Sequence, residues 1–239
     1  MVLRTRDLLV RQRIQLVNAL RGHLAEHGIV ASQGLVKVKV LAAGLQDTGS
    51  LHPLVRELGQ RYLDHFARLD VEIAELDKKL RRHSKDDETA KRLQSMPGMG
   101  PVTAAAIEAF APAMATFKRG RDLAAWLGLV PRQHTTGGKP RLGRKSKMGQ
   151  RDIRRLLIIS AMTVVRWAAR KGAAKGSWLA RMLAEKPRSV VAIALANKMA
   201  RSVWAMLSKG EDYRGSALAP ASSAGAYAGA SAMREVQQR

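Results

Sequence analysis

The strongest constraint on the fold is a regular spacing of large apolar side chains in the first third of the chain. Successive members lie four, three, four, three and four residues apart: Tyr62, Phe66, Leu69, Ile73, Leu76 and Leu80. This is the spacing of the a and d positions in helices that pack along a seam. It predicts one long helix over residues 54–82. That helix either packs in a globular core or forms a coiled-coil arm, which pairs with the first helix or with a second subunit.

The rest of the sequence also predicts helices. Residues 3–26 have apolar side chains at steps of three and four with arginines between them, which is typical of an amphipathic helix. Alanine and leucine dominate the chain, and its β-branched runs are short. We therefore predict an all-α fold, with a coiled-coil arm over residues 1–85 and a helical domain over residues 86–213. Residues 214–239, rich in alanine, glycine and serine, are expected to be disordered.

The composition predicts a polyanionic partner. There are 42 Lys and Arg against 19 Asp and Glu, a formal net charge of +23, and nucleic acid is the first candidate because neutralised phosphates release counterions. A membrane is disfavoured, since the sequence has no signal-peptide pattern and no apolar run of about 18 residues. Aromatic residues make up only 4%, too few for a stacking platform for single strands. With no cysteine and scattered histidines, no metal site is predicted.

A proline- and glycine-rich segment, PGMGP at residues 97–101, predicts a tight turn between two helices. It resembles the helix-hairpin-helix signature, whose turn offers backbone N–H groups to a phosphate. Glycines permit close approach, and a helix N-terminus carries partial positive charge. We predict that Gly98, Gly100 and Thr103 contact nucleic acid without reading its base sequence. The alternative is a plain corner between two helices.

The stretch from Trp126 to Arg155 predicts a phosphate-binding loop. It has no carboxylate between Asp122 and Asp152, and glycines 137 and 138 allow its backbone to approach a ligand. We expect a long loop without regular structure, which is usually functional or disordered. Its predicted contacts are Gly137, Gly138, His134, Ser146 and nine basic residues: Arg132, Lys139, Arg141, Arg144, Lys145, Lys147, Arg151, Arg154 and Arg155. A solvated basic loop is the alternative.

Three blocks in this order resemble the C-terminal half of the insertion-sequence 110/116/902/1111 family of DNA transposases. They are PGMGPVTAAAI, DLAAWLGLVPRQHTTGGKPRLGRKSKMGQRDIRRLLI and VVAIALANKMARSVWAML. The resemblance implies strand cutting and rejoining by an N-terminal RuvC-like domain, whose carboxylates bind Mg²⁺, together with a C-terminal nucleophilic serine. It also implies duplex DNA and a structured non-coding RNA as partners, a dimer or tetramer formed through the arm, and a cytoplasmic, nucleoid-associated location.

Two departures from the family pattern bear on activity. The acidic metal-binding domain has no counterpart in these residues, so we expect no cofactor in this chain, and a fragment, a truncated copy or half of a split protein. Thr135 occupies the position of the family serine, with Thr136 as the alternative hydroxyl. A hydroxyl that attacks a phosphodiester forms a covalent protein–DNA bond, which conserves the energy for rejoining.

Three functions are compatible with these residues. The first is a transposase or site-specific recombinase, and the second is a non-catalytic DNA- or RNA-binding protein derived from one. The third is a basic architectural protein, which would have no need of paired hydroxyls in a glycine-rich loop.

Overall fold

A computed structural model of the chain describes residues 1–47, 49, 51–134, 137–139, 142–174 and 176–214. The described residues are mostly helical, which confirms the predicted all-α class. The helices are α1 (Val2–Glu26), α2 (Val38–Asp47), α3 (Pro53–Asp86), α4 (Glu88–Gln94), α5 (Pro101–Phe110), α6 (Gly120–Trp126), α7 (Arg151–Lys171), α8 (Trp178–Glu185) and α9 (Arg188–Lys209). Two short strands, β1 (Pro131–Gln133) and β2 (Leu142–Lys145), lie between α6 and α7. The chain divides into two compact units, Met1–Arg82 and His83–Arg239.

In the first unit, α1 and α3 are joined by two ion pairs. Arg6 Nε lies 2.5 Å from Asp77 Oδ1, and Arg13 pairs with Asp70. The arginines are seven residues apart in one direction and the aspartates seven apart in the other, so the two helices run antiparallel. The sequence predicted that α3 pairs with the first helix or with a second subunit, and these ion pairs connect it to the first helix. A coiled-coil supercoil and pairing with a second copy remain predictions.

The far end of the first unit contains an apolar cluster in which α1, α2 and the start of α3 meet. Its buried members are Leu20, Leu24, Ile29, Leu41, Leu45 and Leu51. The ring of His23 on α1 lies 5.9 Å from the ring of Tyr62 on α3, between their centroids. This cluster packs the C-terminal end of α1 and the N-terminal part of α3 against α2.

The core of the second unit is built on α7 and α9. Both helices present stripes of small and apolar residues, such as Ala161 and Val165 on α7 and Ala192 and Ala196 on α9, all 0% exposed. Alanines allow two helix axes to come close together. By length and composition, α9 could also cross a membrane. Its apolar face is instead packed in this core, which is typical of a central helix.

After α9 the chain runs back to Ser95, at the end of α4 near the start of the second unit. The Tyr213 amide donates a hydrogen bond to Ser95 Oγ at 2.9 Å, and the Tyr213 ring packs on the core. Burial raises the pKa of Tyr213 to about 12. Of the tail predicted to be disordered, the residues beyond Arg214 lie outside those described.

Candidate nucleic-acid interface

The central basic segment is a β-ribbon, so the expectation of a loop without regular structure was wrong. Strands β1 and β2 pair antiparallel, with Pro131 opposite Lys145 and Gln133 opposite Leu142, and the register shifts between these pairs. Short strands rich in arginine, glycine and proline have no alternating apolar pattern, so their sequence does not predict a sheet. The ribbon depends on contacts that its ends make with the helices.

Backbone hydrogen bonds extend the pairing of the strands down to α6 and α7. The Ser146 amide donates to the Val130 carbonyl at 2.9 Å, and the Gln150 amide donates to the Trp126 carbonyl at 3.3 Å. The Gln150 side chain also accepts from the Asp152 amide and caps α7. The first and last residues of the segment are therefore tied together where α6 ends and α7 begins.

Two glycines allow this close approach. A Cβ on Gly128 would lie 2.0 Å from the Met148 carbonyl oxygen, and a Cβ on Gly149 would lie 1.8 Å from the Trp126 carbonyl oxygen. Both residues also have positive φ, 67° and 88°, where a side chain is strained. Sequence reasoning did not assign either glycine to the site. A glycine directly after a helix, like Gly128 after Trp126-Leu127, is a helix-end signal that could have identified the first of them.

Arg154 fastens the base of the ribbon to α7. Its Nη1 donates to the Leu127 carbonyl at 3.0 Å and to the Met148 carbonyl at 3.2 Å. From α9, Asn197 Nδ2 donates to the Leu129 carbonyl at 3.3 Å. Arg154 was predicted to bind phosphate. The structure places its guanidinium on backbone carbonyls, where it orients the ribbon.

The other basic side chains that the structure describes here are accessible. Arg132, His134, Lys139, Lys147, Arg151 and Arg155 are exposed, and Lys145 is half-buried. Arg132 Nη2 donates to the Ser146 carbonyl at 3.4 Å. Burial lowers the pKa of Lys145, and the nearby charges of Lys147 and Arg154 lower it further. The segment is a region of concentrated positive potential.

The ring of His134 lies beside Gly143 of the opposite strand. A Cβ on Gly143 would lie 2.8 Å from both Cδ2 and Nε2 of the His134 ring. Gly143 therefore leaves room for the imidazole beside the ribbon. Gly137 and Gly138 follow at the turn of the ribbon with positive φ and are exposed. The predicted nucleophiles Thr135 and Thr136, the predicted contact Arg141 and the side chain of Arg144 lie outside the described residues.

The glycine turn between α4 and α5 forms as the residue pattern predicts. Gly98 has φ +83°, and a Cβ there would lie 2.8 Å from the Ser160 carbonyl of α7. Gly100 is the N-cap of α5 and faces open space. Neither the Gly98 nor the Gly100 amide donates a hydrogen bond to another described residue. The turn thus offers unpaired amides at a helix N-terminus.

Thr103 has a different position from the one predicted. Its side chain is 5% exposed, and its hydroxyl lies 3.2 Å from the Ser160 hydroxyl. This buried pair joins α5 to α7, and it turns the Thr103 hydroxyl away from any ligand in solvent. The burial depends on how two distant helices pack, which the local sequence does not reveal.

Helix α7 contacts both of the regions that were predicted to bind nucleic acid, the ribbon and the glycine turn. Arg154 holds the ribbon, and Ser160, six residues later and about 9 Å along the helix axis, contacts the glycine turn. One rigid helix therefore sets where the ribbon and the turn attach.

No arrangement among the described residues suggests a metal ion. His23 lies in the last turn of α1, and His27 is the residue that caps the end of this helix. No group of three or more His, Cys, Asp or Glu among the described residues is placed to hold a metal.

Comparison with known proteins identifies the relatives of this chain. Residues 90–175 match the profile described as "Transposase IS116/IS110/IS902 family", which covers the glycine turn, the ribbon and α7. A "Probable family 20 transposase" of Pseudomonas aeruginosa is 42% identical over 214 residues, 88% of this chain and 63% of the relative. The "Transposase for insertion sequence element IS1328" of Yersinia enterocolitica is 36% identical over 207 residues, 87% and 62% of the two chains.

A third relative is the "Transposase for insertion sequence element IS1111A" of Coxiella burnetii, 34% identical over 216 residues, 89% of this chain and 59% of the relative. The chain thus spans about three-fifths of the length of the relatives it matches. By this profile and these identities, the chain belongs to the IS116/IS110/IS902 family of transposases.

Proposed function

We propose that the second unit binds duplex DNA for an insertion-sequence transposase. The observation that carries this proposal is a ribbon with exposed cations whose base is locked to α6 and α7, inside the segment that matches the family profile. No carboxylate lies between Asp122 and Asp152 to neutralise those cations from within the segment. A polyanion that lies along the ribbon would relieve their mutual repulsion.

The glycine turn is proposed as a second, sequence-independent contact. Its amides at Gly98 and Gly100 face no acceptor among the described residues, and a helix N-terminus favours a phosphate. The contribution of such a contact is to position the duplex without reading its bases.

The test measures duplex binding by fluorescence anisotropy over a range of salt concentrations. The ribbon variant Arg132→Ala/Lys139→Ala is compared with Lys78→Ala/Lys79→Ala, which removes two exposed charges from α3. Two lost phosphate contacts should lower the slope of log K against log salt by about 2, whereas the α3 variant should keep the original slope. Equal slopes in the two variants would contradict the ribbon as the DNA contact.

Strand joining is proposed as a function of the same unit, with the Thr135 hydroxyl as nucleophile. The threonine oxygen would attack a DNA phosphodiester and lose its proton, and the bond from phosphorus to one deoxyribose oxygen would break, so that this strand leaves with a free hydroxyl. The hydroxyl of the strand to be joined would then attack the phosphoester and displace threonine. The cations of the same segment would stabilise the charge that develops on the phosphate. The other candidate is a non-catalytic binding protein, which is favoured by the threonine at the family's serine position, since its extra methyl group crowds an in-line attack.

A covalent-adduct assay separates these two candidates. The chain is incubated with insertion-element-end DNA and Mg²⁺, and the products are examined for protein–DNA adducts that survive SDS. An adduct lost in Thr135→Ala and kept in Thr136→Ala supports catalysis. DNA binding without any adduct supports the non-catalytic candidate.

Three further components belong to the proposal. A structured RNA could bind through the same excess charge, the first unit could join two or more copies, and Mg²⁺ would be bound by an acidic domain rather than by residues of this chain. RNA binding is tested by competition between RNA and duplex DNA, and association by sedimentation with and without DNA.

A further inference from the structure

We infer that the chain holds the sugar–phosphate backbone of its DNA duplex at a further basic surface, outside the ribbon and the glycine turn. This surface, the α6–α9 cluster, consists of Lys118, Arg119, Arg121 and Arg201. The inference rests on the proposed function and extends the bound surface from the base of the ribbon along α6. Three observations carry it: the packing that brings these cations together, the scarcity of carboxylates around them and their place beside the ribbon base.

Close packing of α6 on α9 brings together cations from two distant parts of the chain. A Cβ on Gly120 would lie 3.0 Å from both the Cα and the carbonyl oxygen of Arg201, so the missing side chain lets the two backbones come close. Consecutive Cα atoms are about 3.8 Å apart, which puts the Cα atoms of Arg119 and Arg121 within roughly 8 Å of the Arg201 Cα. The start of α6 and the middle of α9 thus present their arginines as one group.

The segment before α6 is fixed on the same part of α9. Trp204 Nε1 donates to the Phe117 carbonyl at 3.1 Å, and Trp204 lies three residues after Arg201, which makes them neighbours on one helix face. The Phe117 side chain is buried, and its ring lies 5.8 Å from the Trp126 ring, between their centroids. Lys118 follows Phe117 directly, so the backbone that carries it is anchored beside Arg201.

The cations of the cluster are accessible and mostly unpaired. All four are exposed. Among the described residues, the side chains of Lys118, Arg121 and Arg201 have no hydrogen bond or ion pair, while Arg119 pairs with Asp122 at 3.5 Å. Helix α9 contains no Asp or Glu, and Asp122 is the only one from residue 109 to residue 151. The cluster therefore has an excess of positive charge that an anion from outside the chain would neutralise.

The cluster adjoins the base of the ribbon. Asn197 of α9 donates to the Leu129 carbonyl there at 3.3 Å, and Arg201 lies one helical turn further along the same face, about 6 Å away along the axis. Helix α6, Gly120–Trp126, spans about 10 Å between the cluster and the ribbon base. Each strand of B-form DNA has a phosphate about every 3.4 Å along the axis, so a duplex that lies along α6 has phosphates at both ends of this helix.

The side chains of the cluster suit a phosphate backbone. A guanidinium such as that of Arg121 or Arg201 donates two parallel hydrogen bonds to phosphate oxygens, and the Lys118 ammonium acts as a point charge. Contacts of this kind fix the position of a duplex and do not read its bases. The cluster is therefore assigned to the backbone of the same duplex that the ribbon contacts.

The test measures how salt affects binding of the full chain to a fluorescent, mixed-sequence DNA duplex of about 20 base pairs, two helical turns. The cluster variant Arg121→Ala/Arg201→Ala is compared with Arg166→Ala/Arg170→Ala, which removes the same charge from exposed positions on α7. Arg121→Lys/Arg201→Lys keeps the charge of the cluster. Circular dichroism verifies that each variant is folded.

Loss of two phosphate contacts in the cluster variant should lower the slope of log K against log salt by about 2. The α7 variant and the lysine variant should keep the slope of the wild type. When the cluster variant is combined with the ribbon variant Arg132→Ala/Lys139→Ala, the slope should fall by about 4, because one duplex then loses both sets of contacts.

An unchanged slope in the cluster variant, or an equal fall in the α7 variant, would overturn the inference while DNA binding by the ribbon stands. A lysine variant with the same slope as the alanine variant would also overturn it, since the contact would then not depend on charge. A combined variant whose slope falls no further than that of either pair would contradict a single duplex on both surfaces. If the wild-type chain binds no duplex, the proposed function fails as well.

Discussion

The backbone of Gly149 lies directly against the carbonyl of Trp126, so close that a Cβ on Gly149 would be 1.8 Å from the Trp126 oxygen. The Gln150 amide donates to the same oxygen at 3.3 Å. This contact joins the end of α6 to the start of α7 and closes the base of the ribbon. Loss of the contact should release the ribbon without removing any of its charges.

The first prediction concerns that closure. Gly149→Ala should lower the free energy of unfolding by at least about 2 kcal/mol, because it adds a backbone clash to an unfavourable φ. Gly172→Ala is the matched control, since Gly172 has φ +87° and nothing within 4 Å of its Cβ position. Gly172→Ala should lower the free energy of unfolding by only about 1 kcal/mol, which is the conformational strain of a side chain at this φ. Urea unfolding measures both, and equal losses would show that the Trp126 contact is unimportant.

The second prediction separates packing from phosphate binding at Thr103. Thr103→Val should cost about 1–2 kcal/mol, because the Ser160 hydroxyl at 3.2 Å loses its buried partner. Thr103→Val/Ser160→Ala should recover part of that loss, since no polar group remains unpaired. DNA affinity should stay unchanged in both. A stable Thr103→Val protein with weakened DNA binding would restore Thr103 as a phosphate contact.

The third prediction concerns the pairing of α1 with α3. The side chains of Arg6 and Asp77 are 24% and 23% exposed, so their ion pair is partly shielded from water. Asp77→Asn should lower the stability of the first unit by about 1 kcal/mol, and the exchange Arg6→Asp/Asp77→Arg should restore much of it. Thermal unfolding monitors both variants. If the single and the exchanged variant are equally destabilised, the attraction between Arg6 and Asp77 contributes nothing to the stability of the first unit.

The fourth prediction is a pH dependence at Tyr213. Burial raises its pKa to about 12 in the folded chain, against about 10 in the unfolded chain. The contribution of Tyr213 to stability is therefore complete below pH 10 and is lost as the pH rises towards 12. Wild type should lose more stability than Tyr213→Phe between about pH 9 and 11.5. A tyrosinate absorbance titration should show a late component that this variant lacks, and identical titrations would place Tyr213 in solvent.

Several features of the fold were predictable because they depend on residues close together in the chain. The steps of four and three from Tyr62 to Leu80 are typical of a packed helix, and α3 includes all of them. The glycines and prolines of residues 97–101 favour a turn wherever they occur, and α5 begins at Pro101 as a result. The exposed cations between Arg132 and Arg155 were predictable from the sequence, because charged side chains stay in water unless paired.

The sequence by itself determined the helical class, the glycine turn, the basic segment and the family. Only the tertiary structure decided that this segment is a ribbon, that Thr103 is buried on Ser160 and that Arg154 holds carbonyls of Leu127 and Met148. The reason is the range of the interactions. Helix periodicity and turn chemistry are local, whereas each of these three features requires partners from parts of the chain that meet only after folding.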